Sequence, residues 1–407
     1  MEAIDAKTGK LYIEKLESIL GRDWCEQELE KYREFQEKYS PFGMWSHRHP
    51  TTSPIVPLLF QYKHPESREH QAIPLGYWYG EPIRYLVELA GSIFSFEEFW
   101  SKLPNNRGVN NIKNKLTYAP QFSGFVYELL VAVGYRSNNE YSDYNIEPLF
   151  FNPATSKGIP DIVLRKDDYE IAIQCKTRSP LSANIISFEE FQYLFGRFFR
   201  FIQDSNSTYK LSLKIIESLD IEKIDQLLAH IRSAVISNLE LPKHTINNSC
   251  EVWLKRLNIP ARGLTESDLG KILEKDNGNL YAEIGGSGTR GSAVTKVAWC
   301  SVSANNQKSV EEWVSEIVED AAKNASGKSP LVVSVHLYQY IHWERYLGNP
   351  NNESKLKEKL SPIFKSYPRV KYVNISSNRQ EFFDFSEKET MLRTQYVEFS
   401  NPFFKTT

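Results

Sequence analysis

Phe122, Phe125, Val126, Leu129, Leu130 and Val133 recur at i, i+3, i+4, i+7, i+8 and i+11, the spacing of a helix with a buried face, and Gly134 reads as its end. Strand-length apolar runs follow at 146–151, 159–164 and 169–176. The polar triplet Lys166-Asp167-Asp168 separates the last two, which predicts a hairpin. Phe188, Phe191, Phe195, Phe198, Phe199 and Ile202 then mark a second helix, with Arg197 and Arg200 on its other side. A fourth strand is expected at 211–215 and a third helix at 221–236. The order is helix, three strands, helix, strand.

The flanks read differently. Tyr12, Leu16 and Ile19 share one helical face, and Trp24 and Leu29 continue the apolar signal. Between 39 and 80, Pro41, Pro50, Pro54, Pro57, Pro65 and Pro74 forbid long regular elements. The stretch 102–115, with Lys102, Arg107, Lys113 and Lys115, reads as a linker or a solvated basic loop. Towards the end of the chain, strands at 293–302, 331–337 and 370–375 alternate with helices at 310–321 and 353–364. That alternation predicts an α/β layer with parallel neighbours. Three parts follow: a mostly helical, Pro-interrupted region (1–116), a central core (117–240) and an α/β region (241–407).

Composition narrows the picture. The chain has 407 residues and 41% hydrophobic residues, enough for a large buried core. Lys and Arg number 49 against 51 Asp and Glu, so a globally basic nucleic-acid coat is excluded while a local positive cleft is not. No apolar stretch approaches the roughly 20 residues of a membrane helix, and the start of the chain is not a signal peptide. Cys25, Cys175, Cys250 and Cys300 form no CxxC pair, so neither a zinc knuckle nor a disulfide framework is suggested. A reducing cytoplasm is the expected location.

The chemistry concentrates in Gly158-Ile159-Pro160-Asp161 and Ile173-Gln174-Cys175-Lys176. A hairpin brings the start of one strand beside the end of the next. Gln174 and Lys176 are two apart and share a strand face, whereas Cys175 points the other way with Ile171 and Ile173. A carboxylate, an amide oxygen and an ammonium then converge. That set suits metal-assisted phosphodiester hydrolysis: Asp161, the Gln174 side-chain oxygen or the Cys175 backbone carbonyl would ligate Mg²⁺ or Mn²⁺. Lys176 would orient or help deprotonate the attacking water and balance charge in the transition state. Glu128 sits in a helix apolar nearly all round and needs a partner, either a metal-bound water or Lys176. Arg165, Arg178, Arg197 and Arg200 are candidate phosphate contacts, with ordinary surface charge as the plainer reading.

Other motifs carry less. Gly286 to Ser292 approaches a P-loop but has Ser292 where the Lys must stand, so it reads as a hairpin loop. His47, His49, His64 and His70 match no ligand spacing and read as a polar loop. Cys175 has no nearby His to activate it and reads as a buried apolar-side thiol. Trp45, Trp78 and Tyr79 read as small-core residues rather than base-stacking ones.

Glu in the first helix, then Pro-Asp, then Gln-x-Lys, on helix-strand-strand-strand-helix-strand, resembles the PD-(D/E)xK restriction-endonuclease-like superfamily. The Gln-x-Lys form, preceded by GFVYELLVAVGY, is most similar to its Mrr-like branch. The resemblance covers the middle quarter of the chain. It implies an α/β restriction-endonuclease-like core and a Mg²⁺-dependent (or Mn²⁺-dependent) endonuclease that usually acts on DNA, with the choice between DNA and RNA left open. Asp161 and Gln174 would lie at the metal, Lys176 would be catalytic, and Glu128 would be the helix carboxylate. It also implies a prokaryotic restriction or anti-phage setting, a homodimer that cuts both strands, and a defence-system partner protein. Gln174 stands where most of the superfamily has Asp or Glu, which removes one negative charge. The alternative reading is therefore a catalytically weak nuclease fold serving as a nucleic-acid-binding or sensor module. A third reading is an interaction protein in which Asp161 and Lys176 merely form a salt bridge.

Overall fold

The computed structural model describes residues 6–39, 53–64, 82–152, 158–178, 186, 188–205, 207–246, 249–257, 281–287, 296–304, 309–337, 347, 349–381 and 391–404. Along the chain come α1 (Ala6–Leu20), α2 (Arg22–Tyr39), α3 (Val56–Lys63), α4 (Pro82–Phe94), α5 (Glu97–Trp100), α6 (Arg107–Thr117) and α7 (Ala119–Ser137). Then follow β1 (Asn145–Pro148), β2 (Ile162–Lys166), β3 (Tyr169–Arg178), α8 (Phe188–Gln203), β4 (Tyr209–Ile215) and α9 (Ile221–Ile236). Next are β5 (Leu241–Ile246), β6 (Cys250–Arg256), β7 (Tyr281–Ser287) and β8 (Lys296–Ala304). The last are α10 (Val310–Asn324), β9 (Leu331–Leu337), α11 (Pro350–Ser366), β10 (Val370–Glu381) and β11 (Met391–Ser400). The fold is mixed α/β. Among the described residues no helix is long and apolar enough to cross a membrane.

The chain groups into two units, one of residues 1–44, 51–178 and 309–407, the other of residues 45–50 and 179–308. The first unit has a six-stranded sheet, β1-β2-β3-β9-β10-β11. β1, β2 and β3 form an antiparallel meander, β9 is parallel to β3, and β10 is parallel to β9. The β2–β3 hairpin turns at Asp167 and Asp168, as expected, with Asp167 at φ 51°.

Each face of this sheet has its own cover. Ile171, Ile173 and Cys175 join a core with Phe125 and Leu129 of α7, Ile13 and Leu16 of α1, Leu86 of α4 and Ile112 of α6. Ala172, Val333, Val335, Val373 and Ile375 join a second core with Val314, Ile317 and Val318 of α10 and Leu356 and Leu360 of α11. Full burial of one such aliphatic side chain contributes about 1.5–3 kcal/mol. β9 lies between two parallel neighbours with both faces covered, and all seven of its residues are buried. A capping box fixes the start of α10: Glu312 N–H donates to Ser309 Oγ, and Ser309 N–H donates to the Glu312 carboxylate. The helices of 1–116 thus share a core with α7 and β1–β3 rather than forming a region apart.

The second unit has a five-stranded sheet, β5-β6-β4-β8-β7. β4 alternates buried and half-buried residues, and Phe191, Phe195, Phe198, Phe199 and Ile202 of α8 are buried.

Four expectations are corrected. The strand at 211–215 is β4, but it pairs with β6 and β8 and is not the fourth strand beside β3; β9 is. The strand at 293–302 becomes β8, which likewise pairs with β4 and β7 instead of joining β9 and β10 in one layer. The second unit is nested between β3 and α10, so neighbours in sequence are not neighbours in the sheet. The helix expected to stop at Gly134 continues to Ser137. The stretch 102–115, expected as a loop, contains most of α6. His47, His49, His70, Trp45, Trp78, Tyr79 and residues 288–292 of the glycine-rich stretch lie outside the described residues.

Candidate active site

The site forms where β3 outruns β2. Their ladder starts at the pair Ile162 and Ile173, yet β3 continues to Arg178 and pairs there only with β9. Asp161 sits at the step. Its N–H donates to the Ile173 carbonyl at 2.9 Å. Its carboxylate Oδ2 accepts the Cys175 N–H at 2.7 Å, so the side chain supplies the rung that β2 no longer provides. Oδ2 also accepts Gln174 Nε2 at 2.6 Å. In an extended strand the N–H and C=O of one residue point to the same edge, so the Cys175 carbonyl faces the notch beside Asp161.

Local sequence holds Asp161 in place from both sides. Gly158 has φ +91°, and its carbonyl accepts both the N–H and the Oγ–H of Ser326, at 2.7 and 2.8 Å. A Cβ at Gly158 would stand 2.4 Å from the Asn324 carbonyl oxygen, so only glycine fits this approach. The Asp161 carbonyl accepts the Phe150 N–H at 3.2 Å. Asn111 of α6 in turn donates to the carbonyls of Phe150 and Phe151, at 2.9 and 3.1 Å.

Glu128 comes from α7 and does have a partner, but not the one expected. Lys115 Nζ lies 2.7 Å from Glu128 Oε2, with the two side chains 17% and 16% exposed. Lys115 reaches it from α6, between the rings of Phe125 and Phe150, 5.3 and 5.5 Å from their centroids. Burial pushes the Glu128 carboxyl up to about 7; Lys115 opposes the shift, Asp161 adds to it, and Lys176 opposes it. Burial also raises the Asp161 carboxyl, against the Cys175 N–H, Lys176, Lys115 and Gln174. The Cys175 thiol is raised well above its ordinary value by burial and by the fields of Asp161 and Glu128, so it stays protonated and is no nucleophile. Its buried, apolar-side placement agrees with the sequence reading.

Asp161, Gln174 and Cys175 therefore meet at one notch, and the charges of Glu128, Lys176 and the unforeseen Lys115 reach it. Gln174 is buried and Lys176 half-buried. The Arg178 backbone ends β3. Arg165 pairs with Glu147 and Glu170. Arg197 and Arg200 belong to the other unit, where Arg197 donates to the Tyr193 hydroxyl and Arg200 faces Asp204 at 4.0 Å. Behind the notch, under α7, Thr177, His336, Ser376 and Tyr396 stand in register across β3, β9, β10 and β11. His336 Nδ1 is 2.9 Å from Ser376 Oγ, and its ring lies against Tyr127. Burial lowers its pKa to about 3 and keeps it neutral.

The donor set suits a hard divalent cation. Asp161 Oδ1 and the Cys175 carbonyl are oxygens, and burial strains the Asp161 carboxylate towards protonation, which a cation would relieve. Among the described residues no three His, Cys, Asp or Glu side chains cluster as a metal cage, so such an ion would keep several waters. The chain matches no protein-family model and no curated protein.

Proposed function

We propose that the chain is a metal-dependent endonuclease that hydrolyses DNA phosphodiester bonds. The observation that carries this reading is the convergence of Glu128, Asp161, Gln174 and Lys176 at the notch where β3 outruns β2. The order α7, β1, β2, β3, α10, β9, with β9 parallel to β3, supports a restriction-endonuclease-like core, its fourth strand delayed by the nested unit.

A divalent cation held by Asp161 and the Cys175 carbonyl would polarise the phosphate and acidify its bound water. Gln174 and the Cys175 N–H fix the Asp161 carboxylate in one orientation. Lys176 shares the Gln174 face of β3, from which its ammonium can approach a phosphate oxygen and offset charge built up during attack. Glu128, poised near neutrality, can accept a proton at working pH. A prokaryotic defence setting in the cytoplasm, a homodimer and a partner protein belong to the same proposal and rest on the motif resemblance.

The test is cleavage of supercoiled plasmid, linear DNA and RNA with Mg²⁺ or Mn²⁺, wild type beside Lys176→Ala. The variant should remain folded and lose cutting by about 10²-fold or more. Wild-type cutting that survives this substitution would remove the site assignment. One observation favours a second reading, that of a binding or sensor module: Gln174 brings an amide donor, not a third charge, to Asp161. Gln174→Glu separates the two, because a gain in metal-dependent cutting marks the native site as a weakened enzyme.

A further inference from the structure

We infer that Lys115 is a built-in counter-cation of this site, standing where a second divalent ion would otherwise sit, so that the site takes a single metal ion. The inference rests on the nuclease reading above. Lys115 Nζ is 2.7 Å from Glu128 Oε2, and neither side chain is more than 17% exposed. The rings of Phe125 and Phe150 flank the ammonium. It is a fixed feature of the fold, because Asn111, one turn earlier on α6, bonds the turn whose Phe150 N–H holds the Asp161 carbonyl. The field of Lys115 reaches Asp161 as well as Glu128.

Charge then decides how many ions enter. Two carboxylates, Glu128 and Asp161, face two lysines, Lys115 and Lys176, and Gln174 contributes no charge. The notch is formally neutral before any ion arrives. One divalent ion at Asp161 is compensated locally by that carboxylate and by the phosphate it would bind. A second ion at Glu128 would have to displace a buried ammonium already bonded there. In a poorly hydrated site, repulsion between that ion and Lys115 is several times larger than in bulk water. Lys115 thus stands beside Glu128 as a fixed cation that no chelator removes.

The test is calorimetric titration of the full chain with Mn²⁺ alone, without DNA, with bound ion counted by paramagnetic resonance. Wild type should bind one Mn²⁺ per chain. Lys115→Met should bind two, or bind the first at least about tenfold tighter, and Lys115→Arg should behave as wild type. If Lys115→Met does not fold, Lys115→Gln keeps a hydrogen-bond donor for Glu128 and should give the same gain. Two ions in wild type, or unchanged number and affinity in the neutral variants, would overturn the inference and leave the nuclease reading standing. Binding of no Mn²⁺ by any of the proteins would overturn both.

Discussion

Glu128 is where the pH response of this protein should be read. Its carboxyl titrates near 7 in the folded chain, above its ordinary value of 4.5, because burial favours the neutral form. The sign follows from linkage. Its contribution to stability is fully present below about pH 4.5 and is lost as the pH rises through about 7. Roughly 3 kcal/mol is at stake. The stability of Glu128→Gln relative to wild type should therefore improve from pH 5 to pH 8, whatever its absolute level, in denaturant titrations at the two pH values. A flat difference would show that Glu128 titrates normally. At this scale the sequence was largely readable. Glu128 stood out as a charge in an apolar helix, and Asp161, Gln174 and Lys176 as a hairpin pair. Lys115 was hidden because 102–115 looked polar, although Gly108, Ile112 and Leu116 already recur every four residues and all three are buried on α6.

At the scale of elements, the notch exists because a loop is pinned and a strand is not stopped. Gly158 does the pinning, through its left-handed backbone and its carbonyl bonds to Ser326. Gly158→Ala should cost about 2 kcal/mol or more, since it adds both a φ penalty and a clash with the Asn324 carbonyl. It should also lower cleavage beyond what lost folded protein explains, because Asp161 is three residues away. A thermal melt and a rate per folded molecule would separate the two effects; a variant as stable as wild type would contradict this account of the loop. Most individual elements were visible as periodicity, and 221–236 and 331–337 agree to the residue. Partners were not visible. Sequential strands pair more often than not, yet β4, the next strand after β3, stands in the other sheet. The burial rhythm held the contrary signal. β4 reads YKLSLKI, with polar residues at alternate positions, whereas β9 reads LVVSVHL, the run that a strand covered on both faces requires.

At the scale of the whole molecule, chain order and sheet order part company. Residues 179–308 make their own sheet, while β3 and β9 pair across that interval from Ala172–Leu331 to Arg178–Leu337. Cooperative opening should follow the sheets and not the sequence. Amides of β3 and β9 should exchange together as denaturant rises, and those of β4 should exchange with β6 and β8. Native-state hydrogen exchange resolves this directly, and protection of β4 together with β3 would contradict the strand order.

The interval between β3 and β9 also governs how the protein is made. β3 pairs with β2 across a two-residue turn, but its other edge waits for a strand about 160 positions further on. A ribosome adding about 5–20 residues per second needs roughly 8–30 s to deliver it. Throughout that time the nascent chain presents an open strand edge, Ala172 to Arg178, which is the kind of edge that recruits other chains. The nested unit can close its own sheet during the wait. The strand that carries the candidate catalytic residues is made well before its partner and is completed only when β9 emerges.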